Sequence, residues 1–145
     1  MRFRSLLLTA VLACAAAALP ALAAINNPQL GAAYDASHAN VTFKVYSSRA
    51  TRIELWAYST ATGTNQKLLR VLEQGTGNDW STTVPVSSFT SAGITGTIYY
   101  GYRAWGPNWP YNSGWTRGSS LGFITDVDAA GNRFHPNKLL ADPYA

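Results

Sequence analysis

Three short runs in this chain alternate residue types with a period of two. Val41, Phe43 and Val45 alternate with Thr42, Lys44 and Tyr46. Ile53, Leu55 and Ala57 alternate with Arg52, Glu54, Trp56 and Tyr58, and Ile98, Tyr100 and Tyr102 with Tyr99, Gly101 and Arg103. Successive side chains of a strand point to opposite faces, so this pattern builds half-buried antiparallel strands with a mixed outer face. Weaker strands are expected over 31–35, 67–73 and 80–84. Turn clusters separate them: Ser47-Ser-Arg-Ala50, Thr60-Ala-Thr-Gly-Thr64, Gly75-Thr-Gly-Asn-Asp79 and Ser91-Ala-Gly93. Short strands punctuated every 8–12 residues or so describe an all-β chain, an immunoglobulin-like β-sandwich of early-set type. No stretch after Ala24 sustains a 3.6-residue period, so helix should be minor.

The first 23 residues stand outside that domain. Met1-Arg-Phe-Arg4 is basic, Leu6 to Leu19 is apolar, and Ala21-Leu-Ala23 is a small-residue cleavage site. That order is a secretory signal peptide over 1–23, and it implies a secreted or periplasmic protein. The apolar run is shorter than the roughly 20 residues a bilayer span needs, so no membrane association is expected after cleavage. Val11-Leu-Ala-Cys14 loosely resembles a lipoprotein box that would leave Cys14 lipidated, but Ala21-Leu-Ala23 is the better site. Cys14 is the only cysteine. The processed domain then has no disulfide, zinc cluster or thiol nucleophile.

The chain has a net charge of +4, but Arg2 and Arg4 belong to the leader and the other cations are scattered singly. Without a basic cluster, no nucleic-acid partner is expected. Charged residues make up 12% of the chain and aromatics also 12%, including five tryptophans and eight tyrosines. Few charges and many rings suit an uncharged, ring-shaped partner such as a sugar better than a phosphate.

The sandwich should occupy 24–107 and an extended loop and junction segment 108–145. Trp105-Gly-Pro-Asn-Trp-Pro-Tyr-Asn-Ser-Gly-Trp115 is rich in Trp, Gly and Pro and has no alternation. A long unstructured loop is often functional, and one carrying three tryptophans should pack on its own sandwich or on a neighbouring domain. Exposed rings can stack on a pyranose face. Candidate sugar platforms are Trp56 and Tyr58 on the outward face of one strand, and Trp105, Trp109, Tyr111 and Trp115 in the loop. The competing readings are a second packing layer for the strand pair and domain docking for the loop set. Arg103 is expected to order the strand-to-loop corner.

The acids offer little chemistry. Glu54 should project from an outer strand face, and Asp35, Glu73 and Asp79 sit at strand ends or turns, all as solvated charges. Asp126-Val-Asp-Ala-Ala-Gly131 opens like a calcium loop, but its fifth and twelfth positions hold Ala130 and Asn137. A turn with aspartate bonding backbone amides is the better reading, and no metal site is expected. His38 and His135 stand in turns and complete no nucleophilic triad.

Tyr100-Gly-Tyr-Arg-Ala-Trp-Gly-Pro107 and Arg133-Phe-His-Pro-Asn-Lys-Leu-Leu-Ala-Asp-Pro-Tyr-Ala145 resemble the N-terminal region of bacterial isoamylases. These are debranching enzymes of glycoside hydrolase family 13, and their β-sandwich is of the type called carbohydrate-binding module family 48. The resemblance runs over essentially the whole chain after the leader, including Ala24-Ile-Asn and Val84-Pro-Val-Ser-Ser88. Two positions depart from it: His135 stands where that family usually has Asn, and Ala141 where it usually has Leu.

The resemblance implies retaining hydrolysis of α-1,6 branch points of glycogen and amylopectin, by two carboxyl groups roughly 5 Å apart. Both would lie on strand ends of a (β/α)8 barrel, beyond Ala145, so this chain would carry no catalytic residues. A calcium ion accompanies the parent family, with ligands downstream, and no cofactor is expected in this segment. Phe134, Leu139, Leu140, Asp142 and Tyr144 would dock on the barrel. The expected role is thus an accessory domain of an isoamylase-type enzyme whose partner is that barrel. The alternative is a free-standing α-glucan-binding module; the specificity of the junction motif disfavours a secreted adhesion sandwich.

Overall fold

The computed structural model describes residues 30–62 and 64–145. The signal-peptide and Cys14 readings fall outside the described residues. Among the described residues seven strands follow in order: β1 (Gly31–Tyr34), β2 (Asn40–Tyr46), β3 (Arg52–Tyr58), β4 (Gln66–Val71), β5 (Glu73–Gln74), β6 (Asp79–Pro85) and β7 (Tyr99–Trp105). They form two antiparallel sheets, one ordered β1-β2-β6-β5 and the other β4-β3-β7. This is the expected immunoglobulin-like β-sandwich. A six-residue helix, α1 (Val86–Ser91), follows β6 and drops Phe89 into the core.

The inward halves of the alternating runs meet between the sheets. Val41, Phe43, Ile53, Leu55, Ala57, Tyr102 and Ala104 are buried there, with Trp80, Val84 and Ile94 closing the core. Register follows from that face: β2 pairs with β6 from Asn40↔Pro85 to Tyr46↔Asp79, and β3 with β7 from Arg52↔Trp105 to Tyr58↔Tyr99. A slip of one residue would turn every inward side chain outward. Lys44 and Asp79 join β2 to β6 through a 2.8 Å ion pair, so Asp79 is not the free solvated charge expected.

One expectation about β3 fails. Its alternation predicts a buried and an exposed face, yet Ile53 to Tyr58 are all buried. The outer face is covered by the chain beyond β7. Residues 106–145 contain turns and two isolated bridges, Gly106↔Trp109 and Tyr102↔Leu140. This irregular segment wraps the three-stranded sheet as a third layer.

Candidate functional site

Trp56, Tyr58, Trp105, Trp109 and Trp115 come together in one buried cluster on the outer side of the β4-β3-β7 sheet. Trp115 descends from the loop and meets Trp105 edge-on at 5.0 Å and Trp56 at 6.3 Å between ring centroids. Trp109 packs on Phe123 at 4.8 Å and on His135 at 5.0 Å. Edge-to-face contacts of this kind add to the area each ring buries. The outward-facing platforms expected at Trp56 and Tyr58 are therefore absent: 6% and 1% of these residues is exposed. The rings are consumed by packing because the loop folds onto its own sandwich. Trp105 is the last residue of β7 rather than part of the loop.

Charges are built into this layer. Glu54, expected to be solvated, is buried and accepts hydrogen bonds from Arg52 Nε (2.8 Å) and Trp56 Nε1 (2.9 Å). The Arg52 guanidinium lies 4.0 Å from the Tyr111 ring centroid, and that of Arg103 lies 4.4 Å from Trp56. Arg103 Nη1 also donates to the Pro136 carbonyl at 2.6 Å. It thus clamps the terminal strip to the sheet rather than only ordering a corner. A buried carboxylate and guanidinium persist here because each meets opposite charge, a π face or a hydrogen bond.

Asn108 was not legible as a key residue, yet it is 1% exposed and holds the third layer together. Its Nδ2 donates to the carbonyls of Thr125 (3.1 Å) and Phe134 (3.0 Å), and its Oδ1 accepts from Phe134 N–H at 2.8 Å. Its own carbonyl accepts from Ile124 and Thr125. The available signal was a single amide side chain between Pro107 and Trp109, in surroundings that leave it no water.

Residues 133–145 divide into anchors and an outward face. Phe134 lies against Gly106 so closely that a Cβ there would overlap its ring. Leu140 exchanges both backbone hydrogen bonds with Tyr102, at 2.8 and 2.9 Å, extending the sheet beyond β7. Asp142 is buried and accepts from the hydroxyls of Tyr100 (2.9 Å) and Tyr102 (3.3 Å), and its other oxygen takes Tyr144 N–H. Burial, followed by the Asp142 carboxylate, pushes both tyrosine hydroxyls well above their ordinary range. Phe134 and Asp142 are therefore engaged by the sandwich itself and are not free docking groups. Leu140 and Tyr144 do face outward, with Tyr144 60% exposed, whereas Leu139 is partly exposed and lays its side chain over Gly101 of β7.

Asp128 behaves as the turn residue expected. Its Oδ1 accepts from the amides of Ala130 and Asn132, and its Oδ2 from Asn132 Nδ2. Those bonds hold its carboxyl below the usual range. The same device recurs at Asp35, which is lowered chiefly by Asn40. Both oxygens of Asp128 thus close the turn by accepting N–H groups.

Two hollows lie on the surface of the described residues. A cleft of about 620 Å³ lies between the Ser47–Arg49 turn and the terminal strip, and Ala141 lines it. A shallower groove of about 490 Å³ has Trp56 in its wall beside Asn65, Gln66, Lys67 and Arg117.

The family model for carbohydrate-binding module 48, the isoamylase N-terminal domain, matches residues 29–145. The isoamylase of Pseudomonas amyloderamosa is 57% identical over 143 residues, covering 96% of this chain and 18% of its own length. A Flavobacterium isoamylase is 56% identical over 146 residues, covering 99% of this chain and 18% of its own. Among solved structures, a pullulanase mutant from Paenibacillus barengoltzii complexed with maltotetraose overlaps 52% of this chain and 10% of its own, with 20% identity and a TM-score of 0.42. The chain thus spans less than a fifth of the length of the isoamylases it matches.

Proposed function

This chain belongs to the carbohydrate-binding module 48 family of isoamylase N-terminal domains, and from that premise we propose that it is the accessory domain bracing the catalytic region of a secreted debranching enzyme. The reaction served would be hydrolysis of α-1,6 branch points in glycogen and amylopectin, performed by carboxylates outside this segment. One observation carries the reading: a terminal strip bonded to the sandwich through Tyr102–Leu140 and Asp142, with Leu140 and Tyr144 turned outward. A strip fixed on one side and apolar on the other is suited to hold a second domain at a set distance and orientation. Leu140 and Tyr144 supply area without disturbing the anchors. The leader over 1–23 would carry the protein out of the cytoplasm.

The test uses the catalytic region of the Pseudomonas amyloderamosa relative expressed without its own N-terminal domain. The present domain, added in trans, should raise that region's thermal stability and activity on amylopectin. Leu140→Ser with Tyr144→Ser should remove the effect while the domain's own unfolding curve stays unchanged. Equal rescue by the double variant would refute docking through the strip.

A second reading is supported by the groove beside Trp56, whose amide and cationic rim offers donors to hydroxyl groups. There the domain would contact α-glucan directly, with only the edge of Trp56 available. Titration with maltoheptaose, followed by tryptophan fluorescence, checks it. A spectrum unmoved at millimolar ligand would dismiss the glucan reading.

A further inference from the structure

We infer that the cleft between the Ser47–Arg49 turn and the terminal strip receives an apolar side chain flanked by carboxylates, contributed by the catalytic region. The inference rests on the accessory-domain reading and adds a second point of contact to the strip. The cleft, about 620 Å³, opens onto the core between the sheets. Ile53 and Ala104, cross-strand neighbours of β3 and β7, meet Val45 of β2 and Phe134 of the strip in its walls. Among the described residues no aspartate or glutamate lines it, and its cations are Arg49, Arg133 and Lys138.

The three cations differ in what they are free to meet. Arg49 is engaged: it donates to the Ala130 carbonyl at 2.6 Å and to Asn132 Oδ1 at 3.2 Å, and it lies near the Asp128 carboxylate. Arg133 and Lys138 are exposed, and among the described residues their side chains make no hydrogen bond or ion pair. A partner that covers the apolar walls takes water from both, and a cation buried without an opposite charge is costly. Charge complementarity therefore demands acids on that partner, and the walls demand an apolar group between them. Leu140 identifies the partner. It lines the cleft and also belongs to the outward face of the strip, so whatever rests on that face reaches the cleft. A second copy of this chain fits poorly. The chain has a net charge of +4, and of its seven acids only Glu73 and Asp126 have side chains without an internal partner among the described residues.

The test is a full-length chimera in which this chain replaces the matching 143 residues of the Pseudomonas amyloderamosa isoamylase. A carbodiimide joins an amine to a carboxylate only where the two touch. Peptide mapping after treatment should find Lys138 linked to an aspartate or glutamate of the catalytic region. Lys138→Arg should abolish that link and leave amide exchange over 45–49 and 131–138 unchanged. Arg133→Glu with Lys138→Glu should speed exchange there about tenfold, a modest demand on two desolvated charge pairs, while Val41 and Leu55 keep their protection. Absence of the link, or exchange indifferent to charge reversal, would overturn the inference. So would a Lys138 link to Glu73 or Asp126 of another chimera, which would give the cleft to a second copy. Tyr144 lies outside the cleft lining and separates this contact from the strip. A chimera whose thermal stability ignores Tyr144→Ser while the Lys138 link persists would refute the strip and keep the cleft contact.

Discussion

Replacing Asn108 by alanine should cost more than any change to an exposed loop residue of this domain. The substitution strands Phe134 N–H and removes the donor shared by the carbonyls of Phe134 and Thr125, bonds of 2.8, 3.0 and 3.1 Å around a side chain 1% exposed. A buried group left without a partner costs about 1–3 kcal/mol. The stranded N–H bears that in full, and each carbonyl less because it keeps a second lone pair. Together the loss comes to about 3–5 kcal/mol, against a total stability of about 5–15 kcal/mol for a domain of this kind. Asn108→Asp is the sharper probe. It keeps the acceptor for Phe134 N–H but turns the donor end into an oxygen facing two carbonyls, so at neutral pH it should do at least as much harm as alanine. Urea unfolding followed by tryptophan fluorescence and by near-ultraviolet circular dichroism measures both variants, with the ring cluster as reporter. A loss below about 1 kcal/mol for both would refute the view that this amide fastens the third layer, because water or a shifted loop would then replace it.

Further outcomes follow from the same contacts. Gly106→Ala should destabilise the domain by about 2–4 kcal/mol, since its Cβ needs the space of the Phe134 ring. The double variant with Phe134→Ala should lose less than the sum of the two single changes, and strict additivity in urea unfolding would contradict the contact. Tyr100 and Tyr102 should stay protonated past the pH at which exposed tyrosines ionise, burial first and Asp142 second being the cause. Above about pH 10 the unfolded chain then releases protons that the folded chain keeps, so stability must fall as pH rises, and a flat alkaline stability profile would rule this out. The lowered carboxyls of Asp35 and Asp128 work at the other end. Their contribution is present above the unfolded carboxylate pKa, about 4, and is lost as pH falls through the folded value; Asp128→Ala should flatten the acid limb of the stability profile.

The sandwich was legible because alternation constrains both face and register. The run expected over 67–73 breaks at Leu72 into β4 and β5 of different sheets, while the other expected strands are present; the inward residues Val41, Phe43, Ile53, Leu55 and Tyr102 meet in one core. The outer face was not legible, for a physical reason. Period two states only that two sets of side chains point apart; it does not state what covers the second set. Glu54, Trp56 and Tyr58 occupy positions that would be solvated on a two-layer sandwich. A loop more than a hundred residues into the sequence turns them into a second core. The composition of that loop already signalled a need to pack, since Pro107, Trp109, Pro110 and Trp115 within a few residues make a poor solvated surface. What the sequence could not say was which surface the loop would choose.

The terminal strip shows the same limit from the other side. Its residues form one motif, but Asp142 and Phe134 turn inward while Leu140 and Tyr144 turn outward. The division follows from one antiparallel pair. Tyr102 and Leu140 exchange both backbone bonds, which fixes the strip at the edge of the β7 sheet and carries Asp142 to the hydroxyls of Tyr100 and Tyr102. A charge in that position is tolerated because two hydroxyls and an amide N–H satisfy its oxygens. Removing it should therefore act on the strip before the core. Asp142→Ala should speed amide exchange at Leu140 and Tyr144 while Val41 and Leu55 keep their protection. Equal loss of protection in both places would mean that the strip and the sandwich unfold as one unit, and the strip would then be part of the core rather than a bracket laid upon it.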